Sequence, residues 1–205
     1  RADVIMRVCE VFFSQPSAQK WHLDLHAAIK RSRYDTFAII PDVIQDADKA
    51  SLIAWLGAAG GAAVVLNNKP AGTFSAYTAS HFGATSCTAE LGQLAPVGHN
   101  DLTAFSATYE ALQRLILSAN TTPAKLTPPV VFKVKQELIK RSEDFKFTLN
   151  AGIENFTDLL PDSVIATDGN VVHRVGKEKE YVIFPNPEVR CGQRAGLTLV
   201  RVSAE

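Results

Sequence analysis

The segment Trp21–Ser32, WHLDLHAAIKRS, gathers groups that can hold a metal or an anion. As a strand it alternates, with His22, Asp24 and His26 on one side and Leu23 and Leu25 on the other. His26 falls where that strand ends, because Ala27 breaks the alternation and Lys30, Arg31, Ser32 and Arg33 follow. Ligands of open α/β sheets bind at the carboxyl ends of strands. A histidine there, two residues after an aspartate, suits a metal ligand; the same pattern also describes an edge strand with a solvated polar face. His22 and His26 cannot share one ion on a strand. Four residues at ~3.3 Å each separate their α-carbons by about 13 Å, whereas imidazole–zinc bonds are about 2 Å. His26 is therefore one ligand at most.

Glu90 is the second group of interest. It lies in ATSCTAELG, a small-residue apolar run in which an unpaired carboxylate is costly. Either a hydrogen-bond network holds it, or it is a general base whose pKa is raised by burial, placed to take a proton from a metal-bound water. Two strands of one sheet, ending in His26 and Glu90, would share a rim.

The elements that must position these groups can be read in order. Val4, Ile5, Val8, Val11 and Phe12 recur at helical spacing. TFAIIP (36–41) and AAVVL (62–66) read as buried strands flanking a helix over Ala47–Ala59 that stops at Gly60-Gly61. Strand, helix, strand at this spacing predicts a parallel crossover. Asn67–Gly83 reads as a long polar loop over the rim, with Ser75, Tyr77, Ser80 and His81 as donors. Asn100 or Asp101 caps a helix to about Leu117, with Leu102, Phe105, Leu112, Leu115 and Ile116 on its buried stripe.

TTPAKLTPP (121–129), with three prolines in nine residues, marks the boundary between a region 1–122 and a β-rich module 123–205. Val130–Lys135 alternates, Gln136–Arg141 reads as a short helical piece, and Phe145, Phe147 and Leu149 alternate again. Asp168-Gly169 signals a hairpin, and YVIF (181–184) and LTLVRV (197–202) complete the strands.

Composition excludes more than it assigns. The 21 basic and 21 acidic residues balance, which argues against nucleic acid or an acidic membrane surface as partner. Cys9, Cys87 and Cys191 are odd in number and far apart with no CxxC pair, which argues against a disulfide framework or a cysteine zinc site and fits a reducing compartment better. No apolar run approaches the ~18 residues of a membrane span. The N-terminal helix carries Arg7 and Glu10 and is no signal peptide; it starts at Arg1 rather than Met.

Three segments carry a resemblance: DLHAAIKRSRYDTFAIIP, HFGATSCTAELGQLAPVGHNDL and VIFPNPEVRCGQRAGL. In order and spacing they resemble the succinylglutamate desuccinylase/aspartoacylase family of zinc-dependent amidohydrolases. The resemblance implies a carboxypeptidase-like α/β fold with a mixed sheet and flanking helices, followed by the β-rich module. It implies one zinc ion, His26 as a ligand, and Glu90 as the catalytic glutamate that activates water and returns the proton to the departing amine. A polycarboxylate substrate such as N-succinylglutamate calls for cationic and hydroxyl groups, for which Lys30, Arg31, Ser32, Tyr77 and His81 are the candidates.

The departures are equally specific. The family takes its other zinc ligands from an upstream His-x-x-Glu, and none of His22, His26, His81, His99 or His173 is followed three residues later by glutamate. Lys30 stands where the family usually has arginine. The chain therefore resembles the C-terminal three-fifths of a family member, incomplete at its N-terminus and expected to hold zinc weakly and to be inactive alone. The parent activity implied is cytoplasmic hydrolysis of N-succinylglutamate to succinate and glutamate in arginine breakdown, acting on a small molecule, with homo-oligomerisation left open. Deacylation of another N-acyl amino acid and a non-catalytic fragment or binding subunit are the alternatives.

Overall fold

A computed structural model describes residues 2–16, 19–69, 72–117 and 127–202. The fold is mixed α/β, as expected. Among the described residues, the first part of the chain has four helices, α1 (Ala2–Phe13), α2 (Asp46–Ala58), α3 (Phe74–Phe82) and α4 (Ser106–Ile116). They accompany β1 (Trp21–Ala28), β2 (Phe37–Pro41), β3 (Ala63–Asn67) and β4 (Thr85–Gln93). The rest is β5 (Val130–Ile139), β6 (Lys146–Phe147), β7 (Thr157–Leu159), β8 (Val164–Asp168), β9 (Val171–Arg174), β10 (Glu180–Ile183) and β11 (Arg194–Arg201).

The main sheet has eight strands in the order β1-β4-β2-β3-β5-β11-β10-β7. The predicted β2-α2-β3 crossover is present, and its strands are parallel. A smaller sheet, β6-β8-β9, lies in the C-terminal part. Alternation along the strands gives each face its own core. Ala38, Ile40, Val64, Cys87 and Ala89 pack with Leu52 and Leu56 of α2. Phe37, Ala63, Val65, Phe132 and Val134 pack with Phe156, Ile183, Leu197 and Leu199. The second core takes residues from both sides of the proline-rich stretch.

Several local expectations are corrected. The stretch read as a loop contains α3. Thr73 caps it by accepting from the Ala76 N–H, and Gly83 ends it in the left-handed region at φ 63°. Gln136–Arg141 is not helical: through Ile139 it continues β5, whose pairing with β11 overrides local propensity. The helix before the boundary begins as a 3₁₀ turn, Leu102–Phe105, capped by Asp101. Leu102 and Ile116 are exposed at 75% and 77%, and the buried positions of α4 are Thr108 and Ala111. In the hairpin, Asp168 is the last paired strand residue, opposite Val171, and Gly169-Asn170 make the turn. Asp168 instead accepts from the Arg141 and Ser142 N–H groups. Residues 121–126 of the expected boundary lie outside the described residues.

Candidate active site

β1 and β4 run parallel, and His26 pairs with Glu90 while Asp24 pairs with Thr88. Paired residues on parallel strands point to the same face. Phe37 of β2 flanks Glu90 on its other side. A row of His26, Glu90 and Phe37 therefore crosses three strands near the carboxyl ends of β1 and β4. The sequence expectation that these two strand ends share a rim describes this geometry.

The surroundings of Glu90 are asymmetric. On one side, Phe37 is sealed by Phe156 at 5.0 Å between ring centroids and by Phe184 at 5.9 Å. On the other, His26 has half its side chain in solvent. Further down the same face, α3 lays its hydroxyls on the sheet: Ser75 meets Thr88 at 2.9 Å, and Thr78 meets His22 Nδ1 at 2.7 Å. These satisfied groups position α3. Glu90 itself is only 7% exposed, and its Oε2 is buried without a hydrogen-bond partner. Burial holds its carboxyl above the ordinary value; nearby Asp24 pushes the same way and His26 opposes. A carboxylate with a raised pKa and a free lone pair is equipped to accept a proton.

His26 Nε2 lies 3.2 Å from Asp24 Oδ1. A carboxylate on one ring nitrogen fixes the imidazole and leaves the other nitrogen for a further partner, as metal-bound histidines commonly require. His22 is half-buried, and burial lowers its pKa against the pull of Asp24. It is tied to Thr78 and lies edge-on to Phe74, so its role is packing between β1 and α3. Among the described residues no group of three or more His, Cys, Asp or Glu side chains is gathered to hold a metal ion. His26 thus fits one zinc ligand, and these residues do not assemble a whole zinc centre.

Beyond His26, the chain turns through Lys30, Arg31 and Ser32, which line a cleft of about 260 Å³ with Ala28, Gly92 and Gln93 from the strand ends. Asp35 and Glu154 complete its wall, Glu154 coming from the C-terminal part. Neither Lys30 nor Arg31 makes a side-chain hydrogen bond or ion pair among the described residues, so both cations are available to an anion. Ser32 Oγ, by contrast, donates to the Tyr34 carbonyl at 2.7 Å. Lys30 also borders a second groove, of about 400 Å³, beside Phe147 and Pro187.

Tyr77 and His81 are placed elsewhere. They stack on each other at 4.2 Å and line an apolar cleft between α3 and α1 with Ile5 and Met6. Neither His26 nor Glu90 borders that cleft. The physical reason is that the segment is helical: Ser75 and Thr78 take the side facing the sheet, and Tyr77 and His81 the side facing α1. The expected ligand role for Tyr77 and His81 is not supported by this placement. Asp24, Glu154 and Asn155 are neighbours that the sequence reading did not assign; only Asp24 had a signal, its same-face spacing from His26.

Residues 1–116 match the succinylglutamate desuccinylase/aspartoacylase catalytic domain, and residues 127–202 match the AstE/AspA barrel-sandwich hybrid domain. The chain belongs to the succinylglutamate desuccinylase/aspartoacylase family. It is 39% identical to a succinylglutamate desuccinylase of Serratia proteamaculans over 98% of this chain and 61% of that protein. A second relative of that name, from Burkholderia lata, is 36% identical over the whole of this chain and 58% of its own length. The crystal structure of succinylglutamate desuccinylase from Vibrio parahaemolyticus superposes with a TM-score of 0.88 at 34% identity, covering 98% of this chain and 60% of that one. The Vibrio cholerae structure gives 0.87 at 34% identity, covering 98% and 59%. The chain thus spans about three fifths of the length of the relatives it matches.

Proposed function

We propose that this chain carries the general base and the substrate cleft of a hydrolase that cleaves the amide of N-succinylglutamate to succinate and glutamate. The observation that carries the reading is Glu90: buried, beside His26, with one oxygen unpartnered and its pKa raised by burial. Its carboxylate would take a proton from the water that attacks the amide carbonyl. The protonated acid would then give that proton to the departing amine. Both steps need a pKa nearer neutrality than that of a solvated glutamate, which burial provides. Lys30 and Arg31, unpaired at the cleft, would receive substrate carboxylates.

Zinc belongs to the proposal as well. His26, held by Asp24, would supply one ligand, and ligands beyond the described residues would complete the site; when bound, the ion would supply Lewis acidity. Cytoplasmic arginine breakdown, implied by the family resemblance of the sequence motifs, is the setting we propose for that activity.

The test is a chimaera joining residues 1–205 to the part of the Serratia relative that this chain does not span, assayed with zinc for succinate release. Glu90→Gln should keep the metal and lose activity by about 10²–10⁴-fold, because an amide cannot accept the proton. His26→Ala should lose metal and activity together. Turnover retained in the glutamine variant, or preference for N-acetylaspartate over N-succinylglutamate, would overturn the reading.

A further inference from the structure

The cationic turn beside the cleft is held in place by the C-terminal part of the chain, through one residue. Asn155 is 1% exposed. Its backbone N–H donates to the Arg31 carbonyl at 2.9 Å, and its carbonyl accepts from the Arg33 N–H at 3.1 Å. These two bonds form an isolated parallel bridge opposite Ser32. The Asn155 side chain faces a different partner: Oδ1 accepts from the Phe184 N–H at 2.8 Å. One asparagine therefore connects the end of β10 to the turn that carries Lys30 and Arg31. Glu154, its neighbour, reaches the cleft wall.

Two further contacts fasten the same seam. Arg33 pairs with Asp158 at 2.5 Å, and Tyr34 lies edge-on to Phe156 at 5.0 Å. Phe156 is held at φ 63°, a strained region for a bulky residue, by Phe37, Phe132 and Tyr34 around it. The chain over 154–156 thus has little freedom, and the turn bonded to it inherits that rigidity. A loop held by its own residues alone would lose binding free energy each time it ordered around a ligand.

From this geometry we infer that Asn155 is a positioning residue: it fixes the Lys30–Ser32 turn so that Lys30 and Arg31 stand ready to bind a dicarboxylate at the ends of β1 and β4. The inference rests on the carboxylate-binding reading of the cleft above. It makes the C-terminal part a component of substrate recognition, although among the described residues Glu154 alone brings it to the cleft wall.

The experiment uses the 205-residue chain with succinate as probe, followed by ¹⁵N amide shifts of Arg31 and Ser32. The wild type should bind with saturable shifts. Asn155→Ala keeps the two main-chain bonds but removes the Oδ1 acceptor that ties Asn155 to the Phe184 N–H, so it should weaken binding about two- to tenfold, the scale of one neutral hydrogen bond. Ile165→Val, a core change in the small sheet that lowers melting temperature without touching the seam, should leave the dissociation constant unchanged. Asp158→Ala guards against misfolding of the asparagine variant and gives a test of sign. Removing the anion that pairs with Arg33 and Lys179 would make the neighbourhood of the turn more positive and tighten succinate binding if electrostatics alone acted, whereas loosening the seam should weaken it.

Equal affinity in wild type and Asn155→Ala, or tighter binding in Asp158→Ala, would overturn the inference. So would a wild type whose residues 30–32 do not respond to succinate. Succinate binding that follows the expected order, with no hydrolysis by the chimaera, would support the positioning role while removing the proposed activity.

Discussion

Glu90→Gln should stabilise this chain, and the gain should depend on pH. The wild-type carboxyl is buried, with Oε2 unpartnered, and its folded-state pKa is raised above the ordinary 4.5 by burial. Below the unfolded value the acid is neutral in both states, so the two proteins should melt together. As pH rises from there through the folded pKa, the unfolded chain ionises more readily than the folded one, and wild-type stability falls. Glutamine does not ionise, so the gap opens across that window and stays constant above it. An unpartnered buried polar atom costs roughly 1–3 kcal/mol, and more when charged. The amide keeps the neutral part of that cost and removes only the part due to charge, so the gap is a difference on the order of 1 kcal/mol. For a chain of this size that corresponds to roughly 2–4 °C in melting temperature. Thermal melts of both proteins from pH 4 to pH 8 measure it directly. A His26→Ala background should widen the gap, because the imidazole is the one group that lowers the Glu90 pKa. Melting curves that stay parallel over the whole range would show that Glu90 is not a strained, uncompensated acid, and would remove the physical basis for its role as a base.

Phe156→Ala should cost about 3–5 kcal/mol in urea unfolding, since it empties a fully buried aromatic site shared by Tyr34, Phe37 and Phe132; a loss below about 1 kcal/mol would mean that the two parts of the chain are not joined there. Thr73→Ala should lose about 1 kcal/mol by leaving the Ala76 N–H uncapped, read as a fall in melting temperature. His22 has a folded pKa below its ordinary 6.5, so stability should fall as pH drops from that value through the folded pKa. His22→Gln should flatten that limb of the melting profile.

The strands near the candidate site were legible because each carries a pattern that one face of a sheet imposes. HLDLH places Asp24 and His26 together, and TAELG sends a lone carboxylate into small apolar company. α3 was not legible, because FSAYTASHF mixes hydroxyls and aromatics without a continuous apolar stripe. Its marks were the two ends: Thr73 as cap, and Gly83 at positive φ. Misreading the middle as a loop carried Tyr77 and His81 to the wrong place. Gln136–Ile139 was misread for a different reason, since its conformation is set by β11, some sixty residues further on. Asn155 left no trace at all: its importance lies in three bonds to residues distant in sequence.

The position of β5 restricts how such a protein can be rearranged. Through Val130–Lys133 it extends the sheet begun by β3, and through Phe132–Ile139 it pairs with β11. Its inward residues serve different interiors along its length, Phe132 and Val134 at one end and Leu138 at the other. Recombination that exchanged the C-terminal part between relatives would transplant this strand along with it, and the newcomer would have to match the edge of β3 residue for residue. The two family domains are thus separable as sequences yet share one strand as a physical seam. Exchanges that preserve folding should therefore be those whose incoming β5 keeps bulk at 132 and 134 suited to the resident Phe37 and Val65.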